Sequence, residues 1–162
     1  MAMDNPSGLA DFLGTWSLCR VIRDALTGGT AHLDGTVSIT PKGHGAVWLE
    51  VGQLRLPGMP PMEARRTYLW SEVAPGEIAV SFDNGSPFHR ILLRAPFASD
   101  SHHCAPDHYK AAYAFADWPK WSVTWHVKGP RKDYVSESTL VPAGLAPLAE
   151  DQRVRHSGEE HE

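Results

Sequence analysis

A chain of 162 residues with 42% hydrophobic and 21% charged side chains fits one soluble domain with a real core. Its net charge of −4, with no basic stripe, argues against a nucleic-acid surface. No apolar run approaches the length of a membrane span, and the opening MAMDNPSGLADFL has neither a positive n-region nor an apolar h-region. We therefore expect no signal peptide, no membrane partner and a cytoplasmic location, where Cys19 and Cys104 stay thiols.

Residues 7–13 make one short helical turn, with Ser7 as N-cap and Pro6 just outside. From Gly14 the pattern switches to period two. Trp16, Leu18, Arg20 and Ile22 fall on one face; Thr15, Ser17, Cys19 and Val21 fall on the other. Residues 24–29 read as a turn, 33–40 as a second strand, and 46–56 as a third in which Gly52 marks a bulge. Residues 56–62 hold three prolines and form a loop. Residues 63–73 put Arg66, Tyr68 and Trp70 on one face, and residues 78–82 alternate Ile78, Val80 and Phe82 with Ala79 and Ser81.

The Asn84-Gly85 pair then signals a hairpin turn. Residues 88–94 place His89, Ile91 and Leu93 on one face. Residues 95–107 read as the longest irregular connection. Tyr109, Ala111, Tyr113 and Phe115 share a face, residues 121–127 alternate most cleanly, and a turn over 128–133 leads into the last strand, 134–141. From residue 142 the composition turns to Ala and Pro and then to charge, as in a flexible tail.

About nine short strands joined by tight turns, with almost no helix, predict an all-β protein. Hairpin connections favour an antiparallel up-and-down β-barrel of about 8–10 strands over a sandwich. The expected organisation is an N-terminal segment over 1–13 with its helical turn, a barrel over 14–141 and a tail over 142–162. A barrel of this size has room for one small ligand.

Gly14-Thr15-Trp16 at the start of the first strand resembles the Gly-x-Trp signature of calycins, the lipocalin and fatty-acid-binding-protein class of barrels. The resemblance implies that Trp16 closes one barrel end, against a basic residue near the last strand such as Arg131 or Lys132. A closer resemblance spans residues 12–141. It rests on Gly14, Trp16 and Arg20; on Arg66, Tyr68 and Trp70; on Phe82, Asp83, Gly85, Phe88 and His89; on His102, Cys104, Pro106, Asp107 and Tyr109; and on Trp125, Val127, Gly129, Pro130, Lys132 and Asp133. With these residues the chain is similar to a bacterial family of small calycin-like proteins of unknown function. That resemblance implies the barrel and brings no activity with it.

The stretch HHCAPDHY, residues 102–109, is the densest in groups that bind metals or move protons. As zinc ligands it offers His102 and Cys104 on one side of an extended segment, with Asp107 or His108 beyond Pro106. Its spacing lacks the repeated ligand pairs of zinc motifs, so no metal site is assigned. Cys104 beside His102 or His89 also has the makings of a nucleophile, without any hydrolase signature. The strand faces point elsewhere. If they turn inward, Arg20, Arg66 and His89 converge on an aromatic interior lined by Tyr68, Trp70, Tyr113 and Trp125. A buried arginine then needs Asp83, Asp107, Asp133 or a ligand carboxylate.

The expected function is therefore binding of a small apolar or aromatic, anionic organic molecule. Arg20, Arg66 and His89 would fix its acid, Cys104 and its loop would form a wall, and Lys132 would attract it. Two alternatives use the same cavity. One is an isomerase, decarboxylase, hydratase or cyclase with His89 or His102 as base, Asp107 as orienter and Tyr109 as acid. The other is a haem or tetrapyrrole carrier with a histidine axial ligand. No cofactor is expected, with haem or zinc as the exceptions, and the assembly is a monomer or homodimer.

Overall fold

The computed structural model describes residues 5–144. A 3-10 turn, Leu9–Phe12, leads into ten antiparallel strands: β1 (Gly14–Asp24), β2 (Thr30–Lys42), β3 (Gly45–Arg55), β4 (Met62–Ala74), β5 (Glu77–Phe82), β6 (Pro87–Leu92), β7 (Phe97–Cys104), β8 (Asp107–Ala114), β9 (Trp121–Gly129) and β10 (Lys132–Pro142). Each strand pairs with the next except β6 with β7, and β10 returns to pair with β1. The result is a nearly closed up-and-down barrel. Side chains span the open seam: the Arg90 backbone N–H donates to Asp100 Oδ2 at 2.7 Å, and the Phe88 ring meets the His102 ring at 5.3 Å. Among the described residues no helix is long and apolar enough to cross a membrane. The tail expected over 142–162 lies outside the described residues from 145 onward.

Three local expectations need correction. The segment 95–107 is not irregular; most of it is β7. Its inward Ala98, Asp100 and His102 give no apolar stripe, so period two leaves no hydrophobic signal there, and the strand pairs with β8 alone at the seam. Gly52 is not a bulge, since the β2–β3 register runs through it unbroken, with Gly35 opposite Gly52. A Cβ at Gly35 would lie 2.1 Å from the Val51 carbonyl oxygen, so these two glycines permit a close approach of the two backbones. Ser7 is not the cap of the first turn: Asp11 Oδ2 accepts from the backbone N–H groups of Ser7 and Gly8, and from Ser7 Oγ.

The 3-10 turn plugs one end of the barrel. Glu72 on β4 holds it by accepting from the Leu9 N–H at 2.7 Å and the Gly76 N–H at 3.1 Å. Phe12 is fully buried, with ring centroids of Trp118, Trp121, Trp70 and Phe115 at 5.1, 5.2, 5.3 and 5.9 Å. Trp16 lies in the same cluster and donates its indole N–H to the Phe12 carbonyl at 2.8 Å. Its strand neighbour is Pro142, at the far end of β10 from Lys132. The basic partner implied for Trp16 is therefore neither Arg131 nor Lys132; other aromatic rings close this end.

Because four large rings converge on one side chain, Phe12→Ala should create a cavity that its neighbours cannot fill. We expect a loss of about 3–5 kcal/mol in urea unfolding. A loss under about 1 kcal/mol would show that the plug contributes little.

Candidate ligand cavity

Inward positions toward the other end stay open. An inner chamber of about 240 Å3 lies under a wider vestibule of about 640 Å3. Arg66, Tyr68, Phe88, Tyr109 and Tyr134 line both spaces and form a collar between them. The floor of the chamber is aromatic, with Trp48 stacked on Trp70 at 5.3 Å. On its wall Trp125 stacks on Phe88 at 4.9 Å, nearly parallel.

Phe88 owes its place to backbone geometry. In the β5–β6 pairing Ser81 faces Pro87 and Val80 faces His89, so Phe88 is an extra residue. This bulge turns both Phe88 and His89 inward, where strict alternation predicts only His89. It is why the sequence reading left Phe88 out of the pocket.

The polar wall starts at Arg20. Its Nη1 and Nη2 donate to the two Glu50 oxygens at 2.7 and 2.9 Å, and its Nε donates to Ser138 Oγ at 2.7 Å. Trp48 Nε1 donates to the same carboxylate at 3.4 Å. The partner of Arg20 is thus Glu50, not Asp83, Asp107, Asp133 or a ligand. Glu50 is 3% exposed. The sequence signal was the inward set Ala46, Trp48 and Glu50, a carboxylate on an otherwise apolar face.

On another wall His89 Nε2 lies 2.7 Å from the hydroxyl of Tyr113, and both residues are buried. Burial pulls the imidazole down to about 4, so it is neutral at pH 7. Burial raises the Tyr113 phenol far above its ordinary value, so it stays protonated and can donate to the imidazole.

At the collar, Arg66 donates to the Tyr68 hydroxyl at 3.2 Å. Burial pushes the Tyr68 phenol up despite the nearby guanidinium, so this oxygen too is neutral. Among the described residues no carboxylate lies within ion-pair distance of Arg66.

HHCAPDHY forms the β7–β8 hairpin. His102 faces Tyr109, His103 faces His108 and Cys104 faces Asp107 across the ladder. His102, Cys104 and Tyr109 line the vestibule, whereas His103 and His108 are exposed, with rings 3.9 Å apart. Asp107 pairs with Lys132 at 3.2 Å, and Lys132 also donates to the Tyr109 hydroxyl at 3.1 Å. These two contacts, Tyr109 first, raise the Lys132 pKa.

Asp107 therefore orients neither His89 nor His102, contrary to the acid–base arrangement considered above. Its room comes from Gly129, where a Cβ would sit 1.9 Å from Asp107 Oδ1. Among the described residues no three His, Cys, Asp or Glu side chains gather as a metal-ligand set. Of the twelve residues singled out from the sequence, Trp70, Tyr113 and Trp125 line the inner chamber with Arg20 and His89. Arg66, Tyr68 and Tyr109 stand at the collar, and His102, Cys104 and Lys132 at the vestibule with Asp107 on its rim.

Two outcomes test this electrostatic arrangement. Glu50→Ala leaves Arg20 buried without its counter-ion, and should cost about 3–5 kcal/mol in urea unfolding, much of it restored by Arg20→Met in the same chain. No restoration in the double variant would mean that Glu50 acts through packing. His89 gives a pH dependence. Its ordinary pKa of 6.5 falls to about 4 in the fold. Between those values the unfolded chain binds a proton that the native barrel does not, so stability falls as pH falls through this window. Going from pH 7 to pH 4 should remove roughly 3 kcal/mol through this residue alone. His89→Gln should flatten the urea midpoint over that range, and an unflattened profile would count against a buried neutral imidazole.

A comparison with curated proteins found no match. Among solved structures, the barrel is similar to the S-type phycobiliprotein lyase CPES from Guillardia theta, with a TM-score of 0.59, 9% identity, and coverage of 85% of this chain and 92% of that one. At that identity the likeness shows a shared fold. The model of the "Family of unknown function (DUF6314)" matches residues 12–142, and the chain belongs to that family.

Proposed function

We propose that the barrel binds a small aromatic or otherwise apolar molecule bearing one acidic group, with its rings in the inner chamber and its acid on Arg66 and Tyr68. The observation that carries this reading is the contrast between two arginines on the cavity wall. Arg20 is neutralised by Glu50, whereas Arg66, although it faces Glu50 across the β3–β4 ladder, makes no ion pair and donates only to a neutral phenol. A guanidinium offers two parallel donors suited to a carboxylate. The stacked pairs Trp48–Trp70 and Phe88–Trp125 supply flat apolar surface below it. The likeness to a phycobiliprotein lyase supports a barrel with an occupied interior, without indicating which molecule occupies this one.

Binding takes precedence over catalysis in this reading. The histidine in the chamber has its ring tip on Tyr113, and the carboxylate proposed to orient a base is on Lys132. Tryptophan fluorescence gives a direct test with 2-naphthoate and 2-naphthamide, which differ in charge far more than in shape. The acid should bind at least about tenfold tighter to the wild type, as a charge-assisted contact requires. Arg66→Gln should erase the difference. Equal affinities in the wild type, or an unchanged preference in Arg66→Gln, would remove the proposal.

A further inference from the structure

The inner chamber holds a second polar point, and its chemistry differs from that of the collar. Ser136 on β10 is 7% exposed and lines the chamber. Its hydroxyl makes no hydrogen bond to a described side chain and is not among the fully buried polar atoms left without a partner, so it faces the open space of the chamber. It is the inward neighbour of Ser138, whose own hydroxyl accepts from Arg20. Across the ladder it faces Ile22 on one side and Trp125 on the other.

Arg20 adds further donors. A guanidinium has five N–H groups. Three are used: Nε on Ser138 and one each of Nη1 and Nη2 on Glu50. Two N–H groups remain on a residue that lines the same chamber. The Glu50 carboxylate cancels the charge of Arg20 without occupying those two donors. A second anion would therefore gain little from the pair and would lie near the Glu50 oxygens. A neutral acceptor would gain hydrogen bonds without that repulsion.

We infer that Ser136 and Arg20 form a subsite for a neutral carbonyl at the inner end of the ligand, so that the barrel selects flat aromatic acids that also carry a ketone, lactam or amide oxygen. This rests on the reading of the cavity as a site for an aromatic acid, and narrows its substrate class. Trp125, next to Ser136 in the ladder, stacks the ring that bears the carbonyl. The run Tyr134, Ser136, Ser138 and Leu140 on the inward face of β10 sets two small side chains between two large ones. That notch makes room for the oxygen at Ser136.

The test uses two matched probe series, fluorene carboxylates and 9-oxofluorene carboxylates, each with the acid at ring positions 1 to 4. Titrations follow tryptophan fluorescence in the wild type, Ser136→Ala and Arg66→Gln. The expected result is that at least one 9-oxo acid binds better than its parent. Ser136→Ala should then lower that preference by about fivefold, the effect of one hydrogen bond. It should leave the parent acid within about twofold, which also shows that the variant is folded.

Arg66→Gln should weaken both series alike. A preference unchanged in Ser136→Ala overturns the carbonyl subsite and leaves the acid site standing. A fluorene dicarboxylate that binds as tightly as the best oxo acid also overturns it, because the inner point would then accept an anion. If no member of either series binds, the aromatic-acid reading falls and the subsite falls with it.

Discussion

Phe12 decides which part of this barrel is core and which part is cavity. A ten-stranded barrel encloses more space than its own strands fill, and the 3-10 turn drives one ring into the middle of one end. Around it Trp16, Trp70, Trp118, Trp121 and Phe115 make edge-on or tilted contacts in one buried cluster. With that end buried and aromatic, polar inward side chains have one place to go. Arg20, Glu50, Ser136 and His89 lie past the plug, and Arg66 with Lys132 lies farther out. The interior therefore grades from sealed to wet along a single axis, and polarity follows the gradient.

The two arginines illustrate what this gradient demands. Deep in the wall a guanidinium loses too much hydration to stand alone. Arg20 sits there with a carboxylate, a serine and a neighbouring indole all turned to the same network. At the collar solvent still reaches Arg66, so it persists with a phenol for company. One arginine is a piece of the wall and the other stands at its solvent edge without an ion pair. The same distinction separates His89, held neutral on Tyr113, from His102, which lines the vestibule and packs its ring against Phe88.

The barrel itself was legible because period two survives wherever one face is buried. Residues 121–127 alternate Trp121, Val123, Trp125 and Val127 inward, and the structure keeps that register throughout β9. The faces bearing Arg20, Arg66 and Tyr68 were likewise readable, since each polar residue sat among apolar partners two positions away. Legibility failed where alternation or apolarity failed. The Phe88 bulge breaks the period, and a bulge leaves no mark in composition. β7 has no apolar stripe, since its inward positions are Ala98, Asp100 and His102. Glu50 was visible as a carboxylate between buried positions, yet pairing it with Arg20 required the β1–β2–β3 order that sequence does not state. Ser136 gave no signal at all, because a serine on a strand does not show what space lies in front of it.

The stretch richest in chemistry serves the rim. In HHCAPDHY the alternation of a hairpin sends His103 and His108 to the outside and His102, Cys104 and Tyr109 to the vestibule, so three of its six reactive groups line the mouth. The remaining group, Asp107, is committed to Lys132, in a space that exists because residue 129 has no side chain. That contact ties the β7–β8 hairpin to β10 beside the collar, and Lys132 then fixes the hydroxyl of Tyr109. The density of titratable residues in a sequence is thus a poor guide to where its cavity lies. In this barrel the better guide is a polar residue on an apolar inward face, because desolvation forces each such residue either to find a partner in the wall or to await one from a ligand.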